Sequence, residues 1–226
     1  MDADPDRSDI LRDRQEAGRR LGERLGRFRD QNPVVLAIPR GGVVVAAEVA
    51  RQLGAPLDVL IVRKIGAPAN PEYGLGAIAE GGVRLLDESR VKESGYTDRD
   101  LEPVIRRELR ELDRRVQRYR EGRPPIELRG RTVILVDDGV ATGGTVRAGI
   151  RALRARHVAR IVLALGVCPP ETFSQLRREV DDLVVLRVPS YFFAVGEWYR
   201  NFGQVEDAEV CRLLRGAALP APVTHA

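Results

Sequence analysis

Two adjacent acids and a turn rich in glycine and threonine stand together in residues 133–145, which read VILVDDGVATGGT. Successive backbone N–H groups in such a turn, with a helix N-terminus behind them, form a positive cradle for a phosphate dianion. Gly143 and Gly144 let the backbone approach a ligand closely, and the hydroxyls of Thr142 and Thr145 add donors. The turn therefore predicts a phosphate site.

The acids Asp137 and Asp138 precede this turn and carry charges that a phosphate repels. They must face groups that donate hydrogen bonds or carry positive charge, and ribose hydroxyls and the hydration shell of Mg²⁺ fit. A sugar phosphate is thus the expected ligand. A buried strand followed by an ordinary glycine turn is the alternative. It accounts for Gly143 or Gly144 singly, but not for the acid pair together with two threonines.

In this order, two acids, a small linker and TGGT after a hydrophobic strand resemble the phosphoribosyl-pyrophosphate (PRPP) motif of the type I phosphoribosyltransferases. The resemblance spans roughly residues 30–205 and implies transfer of 5-phosphoribose from PRPP to a nitrogen acceptor, expected to be a nucleobase, with release of pyrophosphate. It implies that Asp137 and Asp138 orient the ribose hydroxyls and lie in the outer shell of a Mg²⁺ ion that PRPP itself holds. The other residues that it assigns to PRPP in this stretch are Gly139, Ala141, Thr142, Gly143, Gly144 and Thr145.

A second turn, residues 38–42, reads IPRGG and ends the first predicted strand. Arg40 offers bidentate donors to a diphosphate, and Gly41 and Gly42 allow backbone amides or an unusual peptide geometry to face a ligand. The turn resembles the pyrophosphate loop of the same family. A tight strand-to-helix turn with Arg40 in solvent is the alternative.

Arg63 and Lys64 end the second predicted strand, directly before a loop rich in glycine and proline at residues 65–76. By resemblance they are the basic residues that meet the leaving pyrophosphate, and both charges are expected at the same edge of the sheet. The loop takes the place of the family's mobile catalytic loop. It departs from that pattern because Pro68 and Pro71 stiffen it and it has no further Lys or Arg, so its contribution to catalysis stays open.

Six of the chain's eleven aromatic residues are crowded into residues 191–202. The resemblance places this segment in a hood over the acceptor, where Phe193 and Trp198 are the expected contacts of a base. A satellite hydrophobic cluster or an oligomer contact is the alternative, since large aromatic side chains often fill cores.

Alternating strand and helix patterns predict how these residues are positioned. Short apolar runs typical of buried parallel strands alternate with helical stretches, which indicates an α/β fold of three layers, α/β/α. The resemblance gives the strand order 2-1-3-4-5 and puts both turns at the switch point between the first and third strands. The five predicted strands are residues 34–38, 57–63, 132–137, 160–166 and 183–187.

The remaining segments are expected to complete a single domain. An amphipathic pattern predicts a helix at the N-terminus, and the gap between the second and third strands is too long for one crossover, so it must hold an insertion. The predicted ranges are a domain over 1–215, a helix over 9–29, an antiparallel edge strand within 74–86, a helical insertion at about 87–128 with a helix over 98–121, a hood at about 189–210 and a disordered tail over 216–226.

Composition limits the remaining classes. Hydrophobic residues make up 43% of the 226 residues, no apolar run reaches the length of a membrane span, and the acidic N-terminus is unlike a signal peptide, so a cytoplasmic protein is expected. Cys168 and Cys211 are isolated, and His157 and His225 form no triad or metal cluster. The net charge of +4 is spread along the chain, which does not favour nucleic acid.

Two alternatives remain. The fold implied by the resemblance also hosts regulators that sense nucleotides and bind RNA or DNA, and a pocket could keep PRPP binding without an acceptor site. The resemblance further implies a homodimer.

Overall fold

The computed structural model describes residues 10–71 and 73–217 and is built around a parallel sheet. The strands of these residues are β1 (Val34–Ala37), β2 (Leu57–Val59), β3 (Val62–Gly66), β4 (Gly74–Ala79), β5 (Val83–Leu86), β6 (Thr132–Gly139), β7 (Arg160–Val167) and β8 (Asp182–Arg187). Five of them form the parallel sheet in the order β2-β1-β6-β7-β8. This is the order 2-1-3-4-5 when only the parallel strands are counted, so the predicted fold class is confirmed.

Helices cover both faces of this sheet, because alternate residues of a strand point to opposite sides. Val35 and Val136 lie in one buried cluster with residues of α1 (Arg14–Leu25) and α2 (Gly41–Leu53). Leu36 lies in a second cluster with residues of α5 (Gly144–Ala155). The three expected layers are present. The other helices are α3 (Glu88–Ser94), α4 (Asp98–Arg120), α6 (Pro170–Leu176) and α7 (Asp207–Gly216), with 3₁₀ helices at Gly26–Gln31 and Val195–Trp198.

The strand expected over residues 57–63 is divided between two sheets. Its first part is β2, and its last residues begin β3, which pairs antiparallel with β4 in a separate sheet of order β3-β4-β5. Leu60 and Ile61, between the two, are fully buried, so the apolar run continues through the break and no periodicity marks it. The strand expected at the edge of the main sheet is instead a hairpin of this second sheet.

Buried charges join the second sheet to the main one. Arg120, the last residue of α4, donates from Nε to Asp58 Oδ2 at 3.1 Å and from Nη2 to Glu80 Oε2 at 3.0 Å. Asp58 belongs to β2, and Glu80 follows β4. Removing one partner of such a buried group leaves an uncompensated charge, which is strongly destabilising. This network therefore fixes the second sheet beside the carboxyl ends of the parallel strands.

Main-chain hydrogen bonds join the N-terminal segment to the segment after β8. The N–H of Leu11 donates to the carbonyl of Trp198 at 3.0 Å, and the N–H of Arg200 donates to the carbonyl of Leu11 at 2.8 Å. Asn201 donates in the same way to the carbonyl of Arg12. The start of α1 is therefore held against the expected hood region.

The predicted chain ends need correction. The N-terminal helix expected over 9–29 begins at Arg14 and continues as a 3₁₀ turn, while residue 9 lies outside the described residues. The predicted tail was placed to start at Gly216, but Gly216 ends α7, and residues 218–226 lie outside the described residues. In residues 10–71 and 73–217, no helix is both long and apolar enough to cross a membrane.

Candidate active site

The acid pair lies at the carboxyl end of β6, where the main sheet changes winding direction. β1 leads into α2 on one face of the sheet, and β6 leads into α5 on the other face. The paired residues of β1 and β6 end with Ala37 opposite Val136, so Asp137 and Asp138 lie beyond the end of β1. Crevices at such switch points are where open α/β sheets bind ligands.

Asp138 is held by two side chains that are far apart in the sequence, one from α1 and one from the segment after β8. Arg14 Nε donates to Asp138 Oδ2 at 2.6 Å, and the Tyr199 hydroxyl donates to the Asp138 carbonyl at 2.5 Å. The carboxylate packs on the first residue of α2, Gly41, where a Cβ would overlap Oδ2. A carboxylate is favoured at a helix N-terminus as well as beside arginine. These contacts therefore hold the Asp138 carboxylate in one orientation.

Asp137 has a different environment. The N–H of Asp138 donates to Asp137 Oδ1 at 2.9 Å, and a Cβ on Gly42 would lie 3.0 Å from the same oxygen. Burial and the neighbouring charge of Asp138 raise the pKa of Asp137 well above its ordinary value. The two acids thus differ: Arg14 compensates Asp138, and Asp137 is the one whose ionisation is penalised.

Asp137→Asn is expected to raise the free energy of unfolding at neutral pH. A carboxyl group whose folded pKa is raised stabilises the fold only while it is protonated, and that contribution is lost as the pH rises through the folded pKa. The gain in unfolding free energy from asparagine is therefore absent below pH 3.8, the ordinary pKa of an aspartate, and grows above it. Urea unfolding of variant and wild type from about pH 4 to pH 8, without magnesium, measures it. Asp113→Asn, at an exposed position of α4, is the control, and a gain independent of pH would contradict the assigned environment.

The predicted phosphate turn leads from β6 into α5, with Gly143 in the left-handed conformation at φ 79° as the residue before the helix. The Ala141 carbonyl accepts from Thr172 Oγ1 at 2.6 Å, and the Thr142 carbonyl accepts from Arg147 Nη1 at 3.2 Å. In a trans peptide the N–H points opposite to the C=O, so the N–H groups of the next residues, Thr142 and Gly143, point away from these partners. The first turn of a helix adds further N–H groups without intrahelical acceptors. Nothing lies within 4 Å of a Cβ built on Gly144, so the space before the helix is open.

A cavity of about 300 Å³ opens between this turn and the second sheet. Its wall carries more positive than negative side chains, which suits a multiply charged anion. Thr142, Gly144 and Thr145 line it from the turn, Arg147 and Arg151 line it from α5, and Lys64 lines it from β3.

The structure separates Arg63 from Lys64, because successive residues of a strand point to opposite faces. Arg63 donates from Nε and Nη2 to Glu108 Oε2 of α4, at 3.0 and 2.6 Å. Only Lys64 reaches the cavity with the phosphate turn. The expectation that both charges meet at one edge therefore needs correction for Arg63.

Arg40 stands just before α2, at the same edge as the acid pair, and the Pro39–Arg40 peptide bond is cis. Its Nη1 lies 3.9 Å from Asp207 Oδ1 and 4.0 Å from Glu206 Oε2, which is charge proximity without hydrogen bonding. The guanidinium therefore extends toward the start of α7. The two glycines after Arg40 face the acid pair at close range, which is a role that the sequence did not suggest.

The two expected acceptor contacts are not brought together. Trp198 is 6% exposed and belongs to the main core, whereas Phe193 is 88% exposed. A buried indole offers no ring face to a ligand, so the prediction for Trp198 needs correction. Its Nε1 has no hydrogen-bond partner among the described residues. Tyr191, also in the aromatic segment, is 83% exposed.

Arg14 and Tyr199 are the site residues that sequence reasoning missed. Each contacts Asp138 from more than 60 residues away along the chain, a separation that no local pattern reveals. One signal was available for Arg14. It is the first residue of α1, where a cation is unfavourable because it opposes the helix dipole. An arginine at that position therefore indicates a compensating contact with an acid elsewhere in the fold.

Comparison with known proteins finds similarity over most of the chain. A family model described as the phosphoribosyl transferase domain matches residues 8–186. Proteins from two strains of Mycobacterium tuberculosis, provisionally named phosphoribosyl transferases, are 46% identical over 205 residues, which is 91% of this chain and 46% of each relative. The chain thus spans about half the length of these curated relatives. The crystal structure of TT1426 from Thermus thermophilus is 44% identical, with a TM-score of 0.79 over 92% of this chain and 99% of that one.

Proposed function

We propose that this chain, which belongs to the phosphoribosyl transferase domain family, transfers 5-phosphoribose from PRPP to a nitrogen acceptor and releases pyrophosphate. A nucleobase is the expected acceptor. The observation that carries the proposal is the juxtaposition at the end of β6: an acid pair, then a turn that lines a cavity together with Lys64 and Arg151. A sugar with a phosphate at one end and hydroxyls in its ring requires both.

Each residue role follows from its surroundings. Asp137 and Asp138 accept hydrogen bonds from the ribose hydroxyls, and Asp138 keeps Oδ1 for this because Arg14 takes Oδ2. Residues 139–145 hold the 5-phosphate through backbone amides and the hydroxyls of Thr142 and Thr145. Lys64, in the wall of the cavity, neutralises the departing pyrophosphate, and the family resemblance gives Arg40 the same role. Arg63, held by Glu108, orients β3 instead.

The chemistry expected is displacement at C1 through an oxocarbenium-like transition state. Such a reaction needs no covalent nucleophile, so the protein contributes by aligning the reactants and stabilising the leaving charge. Mg²⁺ carried by PRPP would supply positive charge on the diphosphate. Carboxylates suit its hydration shell, and among the described residues no group of three or more His, Cys, Asp or Glu is placed to hold a metal directly. An outer-shell role for Asp137 and Asp138 fits this donor set.

Lys64 and Arg63 are expected to respond differently to truncation. Lys64→Ala removes a cation from the cavity, so turnover should fall about 10- to 100-fold with little change in the unfolding midpoint. Arg63→Ala leaves Glu108 without two hydrogen bonds and should cost about 1–3 kcal/mol of stability with a smaller change in turnover. Initial rates and thermal unfolding of both variants measure this. Equal losses of turnover would contradict the separation of the two side chains.

The regulator alternative draws little support from the surface. Among the described helices α4 carries the most arginines, and several of them pair with acids of the same helix: Arg106 with Glu102, and Arg114 and Arg115 with Glu111. Paired charges release few counterions from a nucleic acid.

Pyrophosphate release tests the proposal. Purines, pyrimidines and non-base amines are each added to the protein with PRPP and Mg²⁺, with omission of PRPP as the blank. Release that depends on one acceptor supports the transferase and identifies its substrate. PRPP binding without release for any acceptor would contradict transfer to these classes and favour the regulator.

A further inference from the structure

Arg14 is held in three directions at the acid pair. Its Nε donates to Asp138 Oδ2 at 2.6 Å, its Nη1 donates to the Gly203 carbonyl at 2.8 Å, and its Cζ lies 3.8 Å from the Phe202 ring centroid. An arginine that stacks on an aromatic ring and bonds on two sides has little rotational freedom. The position of its donor toward Asp138 is therefore fixed by the segment after β8.

Asp138 is confined at both its main chain and its side chain. The main-chain carbonyl accepts from the Tyr199 hydroxyl, and a Cβ on Gly166 of β7 would overlap that hydroxyl. A Cβ on Gly41 of α2 would overlap Oδ2. Glycine thus occurs at both positions where a side chain would collide with Asp138 or with its Tyr199 partner. Asp138 and its two donors occupy a space that the surrounding elements leave for them.

Helix stability does not account for Arg14. It is the first residue of α1, where a cation opposes the helix dipole. The Arg14 and Asp138 side chains are 11% and 13% exposed, and a buried ion pair is by itself weak evidence of a stabilising role. The contact is better explained by what it does to the carboxylate.

We propose that Arg14 is a positioning residue of the active site, which binds Asp138 Oδ2 and thereby presents Oδ1 to the ribose of PRPP. The proposal rests on the proposed function. The N-terminal segment and the segment after β8 act together in it, because main-chain hydrogen bonds join residues 11–12 to residues 198–201, next to Arg14 and its contacts in the sequence. The two ends of the domain thus form one support for a single carboxylate.

Kinetics of Arg14→Gln and Arg14→Lys test this, with Leu21→Ala as the matched control. Leu21 is fully buried in the same helix and has no polar side-chain group, so its truncation weakens core packing without removing a hydrogen bond to the acids. For each variant, kcat and KM for PRPP, the PRPP dissociation constant and the thermal midpoint are measured well below that midpoint. Arg14→Gln is expected to lower kcat about 10- to 100-fold, the effect usual for removing a partner that orients a ligating group. Arg14→Lys should recover part of the loss, since it keeps the charge but not the fork.

The outcomes separate three cases. Leu21→Ala is expected to lower the midpoint while kcat of the folded protein stays close to that of wild type. Any of three results would overturn the positioning role. The first is an Arg14→Gln variant with kcat and KM within twofold of wild type, and the second is an equal loss in the Gln and Lys variants. The third is a loss of kcat in Leu21→Ala equal to that in Arg14→Gln. Wild-type protein that binds no PRPP would overturn the proposed function, and the positioning role with it.

Discussion

Asp138→Asn is expected to lower turnover about 100-fold or more, which is the effect of removing a charged group that acts on the reacting part of a substrate. The amide has no negative charge with which to accept hydrogen bonds from the ribose hydroxyls. It also presents no full charge to Arg14, whose Nε lies 2.6 Å from Oδ2. The guanidinium is then left beside the ribose without its counter-ion. Initial rates of pyrophosphate release at saturating PRPP measure the change.

Asp182→Asn provides a control at the opposite end of the sheet. Asp182 begins β8, is comparably exposed at 17%, and pairs with Arg160 at 2.5 Å. It shares the chemistry of Asp138 without its position, so it should lose stability and keep turnover. An Asp138→Asn variant with turnover within about threefold of wild type, or equal losses in both variants, would contradict the role given to Asp138.

Gly41→Ala is expected to disable the site although it removes no functional group. The added methyl would overlap Asp138 Oδ2 and come within 2.8 Å of Arg14 Nε. Either the carboxylate rotates away from Arg14 or the N-terminus of α2 shifts, and overpacking of this kind costs about 1–3 kcal/mol. Because both responses move the acid pair, turnover should fall about 100-fold, as a displacement near 1 Å does at reacting groups.

Gly26→Ala is the matched control for this variant. Gly26 follows α1 in a right-handed helical conformation, and nothing lies within 4 Å of a Cβ built there. It should leave turnover unchanged and raise stability by about 0.4–1 kcal/mol, since alanine restricts the unfolded chain. Normal turnover in Gly41→Ala would show that activity does not depend on the contact of the Asp138 carboxylate with the N-terminus of α2.

Local sequence patterns predicted most of the fold, because strands buried on both faces read as apolar runs. The order of the parallel strands was expected only from the family resemblance. The division of residues 57–63 into β2 and β3 escaped prediction, since burial of Leu60 and Ile61 keeps the run apolar through the break. Which sheet a strand joins is decided by its partners, and here β3 pairs with β4, the next strand along the chain.

The candidate site divides in the same way between local and distant residues. The acid pair and the candidate phosphate turn stand out in the sequence because residues 137–145 are contiguous, and their roles toward a ligand stay predictions. Lys64 and Arg63 were treated as equivalent, although strand alternation sends Arg63 to Glu108. Arg14 and Tyr199 could not be identified from local patterns, because their contacts with Asp138 form only when α1 and the segment after β8 meet at β6.

Calorimetric titration with PRPP in the presence of Mg²⁺ tests the central claim most directly. Wild-type protein should bind PRPP at one site per chain. Thr145→Ala, at the wall of the cavity proposed to bind phosphate, should weaken binding about 10-fold through loss of a hydrogen bond to a charged group, whereas Thr132→Ala, at the other end of β6, should not. Absence of PRPP binding, or equal affinity of Thr145→Ala and wild type, would contradict the site described at the end of β6.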